Sequence, residues 1–302
     1  MPKFKSNGKL LLTGEYVVLD GANALAVPTK LGQSLSVEAI DISKIYWKSF
    51  DNLNNLWYEG EFEIVEGILR ATEQNDVSNR IVQIFNAVNT LNGSFLRGNR
   101  GFNIETSLDF PTNWGLGTSS TLINNIAQWA NVDAFKLLEL TFGGSGYDIA
   151  CAQHNMPITY NIKNGAPEVK QVNFQPSFKD QLYFVYLNKK QNSREGIAHY
   201  KAQDKKDLEH TISEINRITS KMINCEHLES FQKLVEEHEQ LISSVTKQET
   251  VKRVFFPDFK GSIKSLGAWG GDFILVASKD NPRAYFEQKG FNTIVSYKDM
   301  LL

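Results

Sequence analysis

The chain has few of the groups that announce a function by themselves. Its 302 residues include two cysteines, Cys151 and Cys225. They form neither a CxxC pair nor any metal-ligand spacing, which excludes a disulfide framework and a zinc ribbon. Both are expected to be reduced thiols, with Cys151 in the apolar run "DIACA" and hence in the core. Long hydrophobic runs are missing too: none approaches the ~18 apolar residues of a spanning helix. In "MPKFKSNGKLLLTGEY" the apolar run is short and is broken by Thr13, Gly14 and Glu15. That is neither a signal peptide nor an anchor, so a cytoplasmic protein with no membrane partner is expected. Charge of one sign is also lacking. Thirty-two Lys and Arg stand against 34 Asp and Glu, a formal net charge of -2, which argues against a nucleic-acid partner. The five histidines are scattered. His210, His227 and His238 are expected on exposed faces of charged helices, and His154 and His199 show no ligand spacing. There is no internal repeat and no low-complexity tract.

What remains is an ordinary globular composition, 41% apolar and 22% charged, in a chain long enough for one large or two medium domains. Residues 9–20, "KLLLTGEYVVLD", read as two short strands around a Thr-Gly-Glu turn. "SLSVEAI" (34–40) and "FNIETSL" (102–108) alternate apolar and polar positions as half-buried strands do. "SNRIVQIFNAVNTLN" (78–92) places Ile81, Ile84, Phe85, Val88 and Leu91 on one helical face, with Ser78 as its cap. Helices follow at 118–130 and 133–142. The polar, proline-containing stretch 161–178 suggests a domain boundary, giving domains 1–165 and 166–302. Beyond it come a strand at 181–187, long amphipathic helices at 204–224 and 226–246, a strand at 271–278, a short helix and a last strand. The fold class expected is α+β.

Four segments carry chemistry. "FPTNWGLGTSST" (110–121) places two glycines and four consecutive hydroxyl residues, Thr118, Ser119, Ser120 and Thr121, before a run of apolar periodicity. Successive N–H groups in such a turn, with the helix N-terminus behind them, can cradle an anion. A hydroxyl that merely caps the helix explains the same residues. The loop is not a Walker A motif, because no Gly-Lys-Ser/Thr follows, and Ser120 stands where a dinucleotide fingerprint needs a third glycine. Lys9 starts an otherwise apolar strand, so its ammonium must reach solvent or a partner. In "GGSGYDIACAQH", Asp148 is either a helix cap or a carboxylate offered at a site. "KSLGAWGGDFILVAS" (264–278) is a glycine cluster before a buried strand, where another backbone or a ligand can approach closely.

Taken in order, these segments resemble the GHMP kinase superfamily (galactokinase, homoserine kinase, mevalonate kinase and phosphomevalonate kinase). "GKLLLTGEYVVLDGANAL" looks like its first motif, "PTNWGLGTSST" like its ATP loop and "KSLGAWGGDFIL" like its third. "GSGYDIA" fits the place of the Ser-Gly-Val-Asp turn of mevalonate kinases. The resemblance covers essentially the whole chain. Gly14-Glu15-Tyr16 and Gly270-Gly271-Asp272 are similar to the phosphomevalonate kinase forms.

The resemblance implies a two-domain fold: an N-terminal β-α domain with a glycine-rich phosphate loop, and a C-terminal ferredoxin-like α/β sandwich. It implies an enzyme that uses ATP and Mg2+ to phosphorylate a small-molecule acceptor, mevalonate or phosphomevalonate, in isoprenoid precursor synthesis. A non-catalytic nucleotide- or metabolite-binding regulator of the same fold and a mevalonate diphosphate decarboxylase are the alternatives, and a homodimer is compatible with all three. Lys9 and Asp148 are then catalytic. Gly115, Leu116, Gly117, Thr118, Ser119 and Ser120 cradle the ATP phosphates, and the Ser120 hydroxyl meets magnesium. Gly267, Ala268, Gly270, Gly271 and Asp272 form the third-motif loop. Glu15, Tyr16, Ser193 and Arg194 are implied on the acceptor side, where Lys189 and Lys190 add positive charge. The sequence departs from the pattern at several points. Leu137 occupies the position of a magnesium-binding glutamate, with Glu139 two residues on as the substitute. Trp269 replaces a glycine of "GAGGG", Ser6-Asn7 stands in place of Ala-Pro, and Thr121 replaces a small residue.

Overall fold

Alternating burial builds the first layer. The computed structural model describes residues 1–98 and 100–302, and the chain divides into two compact units. The first comprises Met1–Gly8, Leu31–Thr112 and Leu116–Gln153, and the second Lys9–Lys30, Asn113–Gly115 and His154–Leu302. Strands β1 (Lys3–Leu11) and β2 (Ala24–Ile40) each contribute residues to both.

In the first unit, β3 (Lys44–Phe50), β4 (Leu56–Val65), β5 (Ile68–Ala71) and β6 (Gly101–Leu108) join β2 in the order β5-β4-β3-β6-β2. Only β3 and β6 pair in parallel within this order. The register sets Ile104 opposite both Val37 and Trp47, and these three side chains share a core with the helices that follow. Helix α1 (Asp76–Leu91) begins two residues before the expected start. Its cap is Asn75, whose Oδ1 accepts from the Val77 and Ser78 N–H groups at 3.0 and 2.9 Å, while Ser78 Oγ accepts the Asn75 N–H at 2.8 Å. Ser78 is therefore the second half of a capping box rather than the cap itself. Helix α2 (Thr118–Ala130) falls on the expected residues, α3 (Ala134–Glu139) starts from an Asp133 cap, and α4 (Tyr147–Gln153) follows the third glycine turn.

The second unit begins with a correction. Val17–Asp20 is a single 3-10 turn rather than a strand, because Gly14, Tyr16 and Gly21 bracket it at φ 85°, 63° and 95°. A helical turn there still buries Val17 and Val18. The stretch expected as a boundary folds largely as a hairpin, β7 (Ile158–Lys163) and β8 (Ala166–Gln171), closed by Asn164-Gly165 at φ 52° and 76°. Both turn residues have positive φ, as a type I′ turn requires. Strand β7 pairs with Ala24–Ala26 of β2.

After it come β9 (Leu182–Tyr186), α5 (Ser193–Lys201), α6 (Leu208–Ile223), α7 (Leu228–Thr246) and α8 (Val251–Phe255). The chain then runs through β10 (Ser262–Ser265), β11 (Phe273–Ala277), α9 (Arg283–Gln288), β12 (Ile294–Ser296) and α10 (Tyr297–Met300). The strands form an antiparallel sheet, β10-β11-β9-β12. All five residues of β11 are buried, as its unbroken apolar run predicts. A mixed sheet with helices and a second, antiparallel sheet with its own helices make the fold α+β, as expected. No helix among the described residues is long and apolar enough to cross a membrane.

Candidate functional site

The glycine loop adopts the geometry that its composition allows. Gly115 and Gly117 lie at φ 67° and 96°, a region costly for residues with a Cβ. Gly117 is the N-cap of α2 and makes no side-chain cap bond, so no side chain at that position meets the first-turn N–H groups. The two readings of the loop therefore separate, because no hydroxyl caps this helix at its N-cap. With no acidic residue in its first turn, the helix end keeps its partial positive charge.

The hydroxyls after Gly117 divide by environment. Ser119 is exposed, whereas Ser120 is 2% exposed and its Oγ donates to the Gly117 carbonyl at 2.9 Å. Thr121 is fully buried, with Oγ1 2.8 Å from Gln33 Oε1 and 3.0 Å from the Gly117 carbonyl oxygen. Asn125 Nδ2 donates to the Gln33 carbonyl at 3.0 Å, Ser6 Oγ donates to Asn125 Oδ1 at 2.7 Å, and Asn124 Nδ2 donates to Ser6 Oγ at 2.9 Å. Two of the departures, Ser6 and Thr121, thus belong to one satisfied polar network that seats α2 on β1 and β2. Buried polar groups that are all paired specify a single seating of the helix.

In the second unit, Lys9 Nζ donates to the Gly115 carbonyl at 3.1 Å. Gly115 sits on the carboxylate of Asp272, so closely that an added Cβ would lie 2.4 Å from it. The Asp272 N–H donates to the Lys189 carbonyl at 2.7 Å, and Asp272 Oδ1 accepts the Gln191 N–H at 3.1 Å. Burial pushes the Asp272 carboxyl up, opposed by that N–H and by the charges of Lys9 and Lys190. Tyr186 Oη donates to the Asn113 carbonyl at 2.9 Å, and Trp114 stands edge-on to Phe273 with ring centroids 5.2 Å apart. Lys9, Gly115 and Asp272 therefore form one cluster, fixed from the ends of β9 and β11.

Asp148 belongs to the first unit. It is the second residue of α4, half-buried, following glycines at φ 66°, 105° and 88°. Leu137 is fully buried in the core of that unit, and Glu139 is exposed at the end of α3. Among the described residues no group of three or more His, Cys, Asp or Glu side chains could hold a metal ion.

Ser193 and Arg194 are exposed in the first turn of α5, and Lys189 and Lys190 are exposed just before it. Glu15 and Tyr16 are buried, at 1% and 7% exposure. Glu15 Oε1 accepts from Lys264 Nζ at 2.6 Å and Tyr16 Oη accepts the Trp269 N–H at 2.9 Å. Burial raises the Glu15 carboxyl to about 7 even though Lys264 opposes the shift. His238, expected at the surface, is fully buried, and its Nε2 accepts the Gly14 N–H at 2.9 Å. The sequence reading missed Lys264, Glu239 and Trp269 as parts of this surround. A lysine inside the strand-forming stretch "GSIKSL" was the available signal.

No protein-family model matches the chain, and no curated protein sequence does. Solved structures match it along its length. A Methanococcus jannaschii mevalonate kinase aligns over 97% of this chain and 96% of its own, at 18% identity and TM-score 0.70. A Streptococcus pneumoniae phosphomevalonate kinase in complex with phosphomevalonate and AMPPNP aligns over 96% and 95%, at 15% identity and TM-score 0.68. A Lactococcus lactis galactokinase complexed with galactose aligns over 99% and 93%, at 14% identity and TM-score 0.69. The fold of this chain is the fold of these kinases.

Proposed function

We propose that the protein is an ATP-dependent small-molecule kinase that transfers the γ-phosphoryl group to a hydroxyl or phosphate acceptor. Mevalonate and phosphomevalonate are the first candidates. The observation that carries the reading is Lys9, an ammonium held on the carbonyl of the first glycine of a loop that opens an N-cap without a side-chain bond. A cation, turn N–H groups and a helix N-terminus together suit a polyphosphate. The full-length likeness to sugar and isoprenoid kinases supports it.

Phosphoryl transfer asks the protein mainly for positioning and charge stabilisation. In this reading the Gly115–Ser120 backbone and the start of α2 bind the nucleotide phosphates. Lys9 offsets charge that develops on the transferred group. Asp148 orients the acceptor hydroxyl and takes its proton. The exposed Ser119 hydroxyl is then the one assigned to the phosphates, and Ser120 shapes the turn through the Gly117 carbonyl. Magnesium fits as a companion of the nucleotide, held by phosphate oxygens, a loop hydroxyl and water, which suits an ion that dehydrates reluctantly. When bound, it would neutralise phosphate charge.

Leu137, in the position of the family's magnesium carboxylate, favours a second reading, a nucleotide-binding regulator without turnover. Purified protein given ATP, Mg2+ and each acceptor in turn tests both. Acceptor-dependent ADP release supports the kinase, and AMPPNP binding without turnover supports the regulator.

A further inference from the structure

Trp269 stands where the superfamily pattern has a glycine, and it fills space that a glycine would leave. Its side chain, 2% exposed, packs in a core with Tyr16, Val17, Ala22, Tyr200 and Ile215. Its backbone N–H donates to Tyr16 Oη at 2.9 Å. The Tyr16 ring is itself fixed, stacked on Tyr200 with centroids 5.6 Å apart and planes at 24°. Tyr200 Oη donates to Asp20 Oδ2 at 2.5 Å, and Lys205 Nζ meets the same oxygen at 2.6 Å. Gly196, one turn before Tyr200 on α5, leaves room for this arrangement: a Cβ there would lie 2.9 Å from Tyr16 Oη.

The strand that enters the loop is held independently. Lys264, fully buried in β10, reaches Glu15 Oε1 at 2.6 Å, Glu239 Oε1 at 3.1 Å and the Ser265 carbonyl at 2.7 Å. Glu239 also accepts from the Ser265 N–H at 3.1 Å and from Ser265 Oγ at 3.0 Å. A buried ammonium shared by two buried carboxylates tolerates little displacement. The loop itself offers less. A Cβ built on Gly267 or on Gly270 would have no heavy atom within 4 Å, so close packing at those positions does not restrain it. Restraint therefore falls to Trp269 and to the entry strand.

We propose that Trp269 is a positioning residue: docked on Tyr16, beyond the strand that Glu15, Lys264 and Glu239 pin, it holds the Leu266–Asp272 loop in one conformation. The loop ends at Asp272, against Gly115 and close to Lys9. Its order therefore sets the surroundings of the glycine turn. The functional consequence rests on the kinase reading, and the anchoring does not.

The test uses the full chain and two independent readouts, with Tyr16→Phe, Trp269→Leu and Trp269→Phe as variants. Tyr16→Phe deletes one oxygen and is the conservative probe should Trp269→Leu fold poorly. Amide hydrogen exchange at residues 266–271 should quicken about tenfold in Tyr16→Phe, the effect of roughly one lost hydrogen bond, and by at least as much in Trp269→Leu, which keeps the backbone donor but loses buried packing. The β11 amides should stay as protected as in the unaltered protein, and Trp269→Phe should restore most of the loop's protection. In the second readout, AMPPNP should bind about tenfold more weakly to Tyr16→Phe, and in Trp269→Leu the KM for ATP should rise with kcat nearly unchanged. Unchanged loop exchange in both Tyr16→Phe and Trp269→Leu overturns the proposal, whatever the activity. If the unaltered protein binds no AMPPNP, the kinase reading falls while the exchange measurement still decides the anchoring.

Discussion

Ser119 and Ser120 are adjacent in sequence and opposite in environment, one exposed and the other buried against the Gly117 carbonyl. Ser119→Ala should lower kcat/KM by at least about tenfold with little change in thermal midpoint, because an exposed hydroxyl contributes little to folding. Ser120→Ala should lower the midpoint more than it lowers turnover. Asp148→Asn should cut kcat by about two orders of magnitude, the usual scale for a lost general base, while the folded protein still binds AMPPNP. Glu15 yields a prediction about pH. Its carboxyl is raised from 4.5 to about 7, so its contribution to stability is fully present below pH 4.5 and is lost as pH rises through about 7. Urea titrations should show stability falling more steeply across that window in the unaltered protein than in Glu15→Gln, by on the order of 3 kcal/mol. A difference of opposite sign contradicts the burial account. At this scale the sequence disclosed what local context can disclose. Lys9 is conspicuous because it starts an otherwise apolar strand. Lys264 also stands in a strand-forming stretch, but its partner Glu15 lies 249 positions away and no local context joins the two. His238 misled for the same reason: a charged helix suggests exposure, and only its contact with Gly14 shows burial.

Among the elements, α2 was legible to the residue, since glycines end abruptly where apolar periodicity begins. The hairpin at Asn164-Gly165 carried a clear turn signal that the surrounding polarity and prolines concealed. Strands β3, β4 and β5 escaped the sequence reading. "KIYWKSF" does alternate, burying Ile45, Trp47 and Ser49, but Leu56 and Trp57 are exposed on β4 and blur the pattern of its partner. Val17–Asp20 was misread because two valines suggest a strand, whereas the positive φ angles at Gly14, Tyr16 and Gly21 require a turn. The glycine loop gives the sharpest test at this scale. Gly115→Ala places a Cβ 2.4 Å from the Asp272 carboxylate at a residue with φ 67°. It should cost more than about 1 kcal/mol in denaturant titration, because strain adds to a clash. AMPPNP binding should weaken with it. Full stability would mean that the close contact between the loop and Asp272 does not exist in solution.

For the whole molecule, a balanced charge and short apolar runs narrowed the classes, and the order of the glycine motifs pointed to one kinase fold. The structure bears that fold out over 96–99% of the chain against three solved kinases. The acceptor was never legible, because the side chains near α5 that the resemblance implies for it are common surface types. The central claim is catalytic, and ADP release in the presence of ATP and Mg2+ tests it most directly, over an acceptor panel of mevalonate, phosphomevalonate, galactose and homoserine. The account predicts ADP release that depends on one of these acceptors and collapses in Asp148→Asn. Release that is independent of every acceptor, or equal in Asp148→Asn, would contradict it.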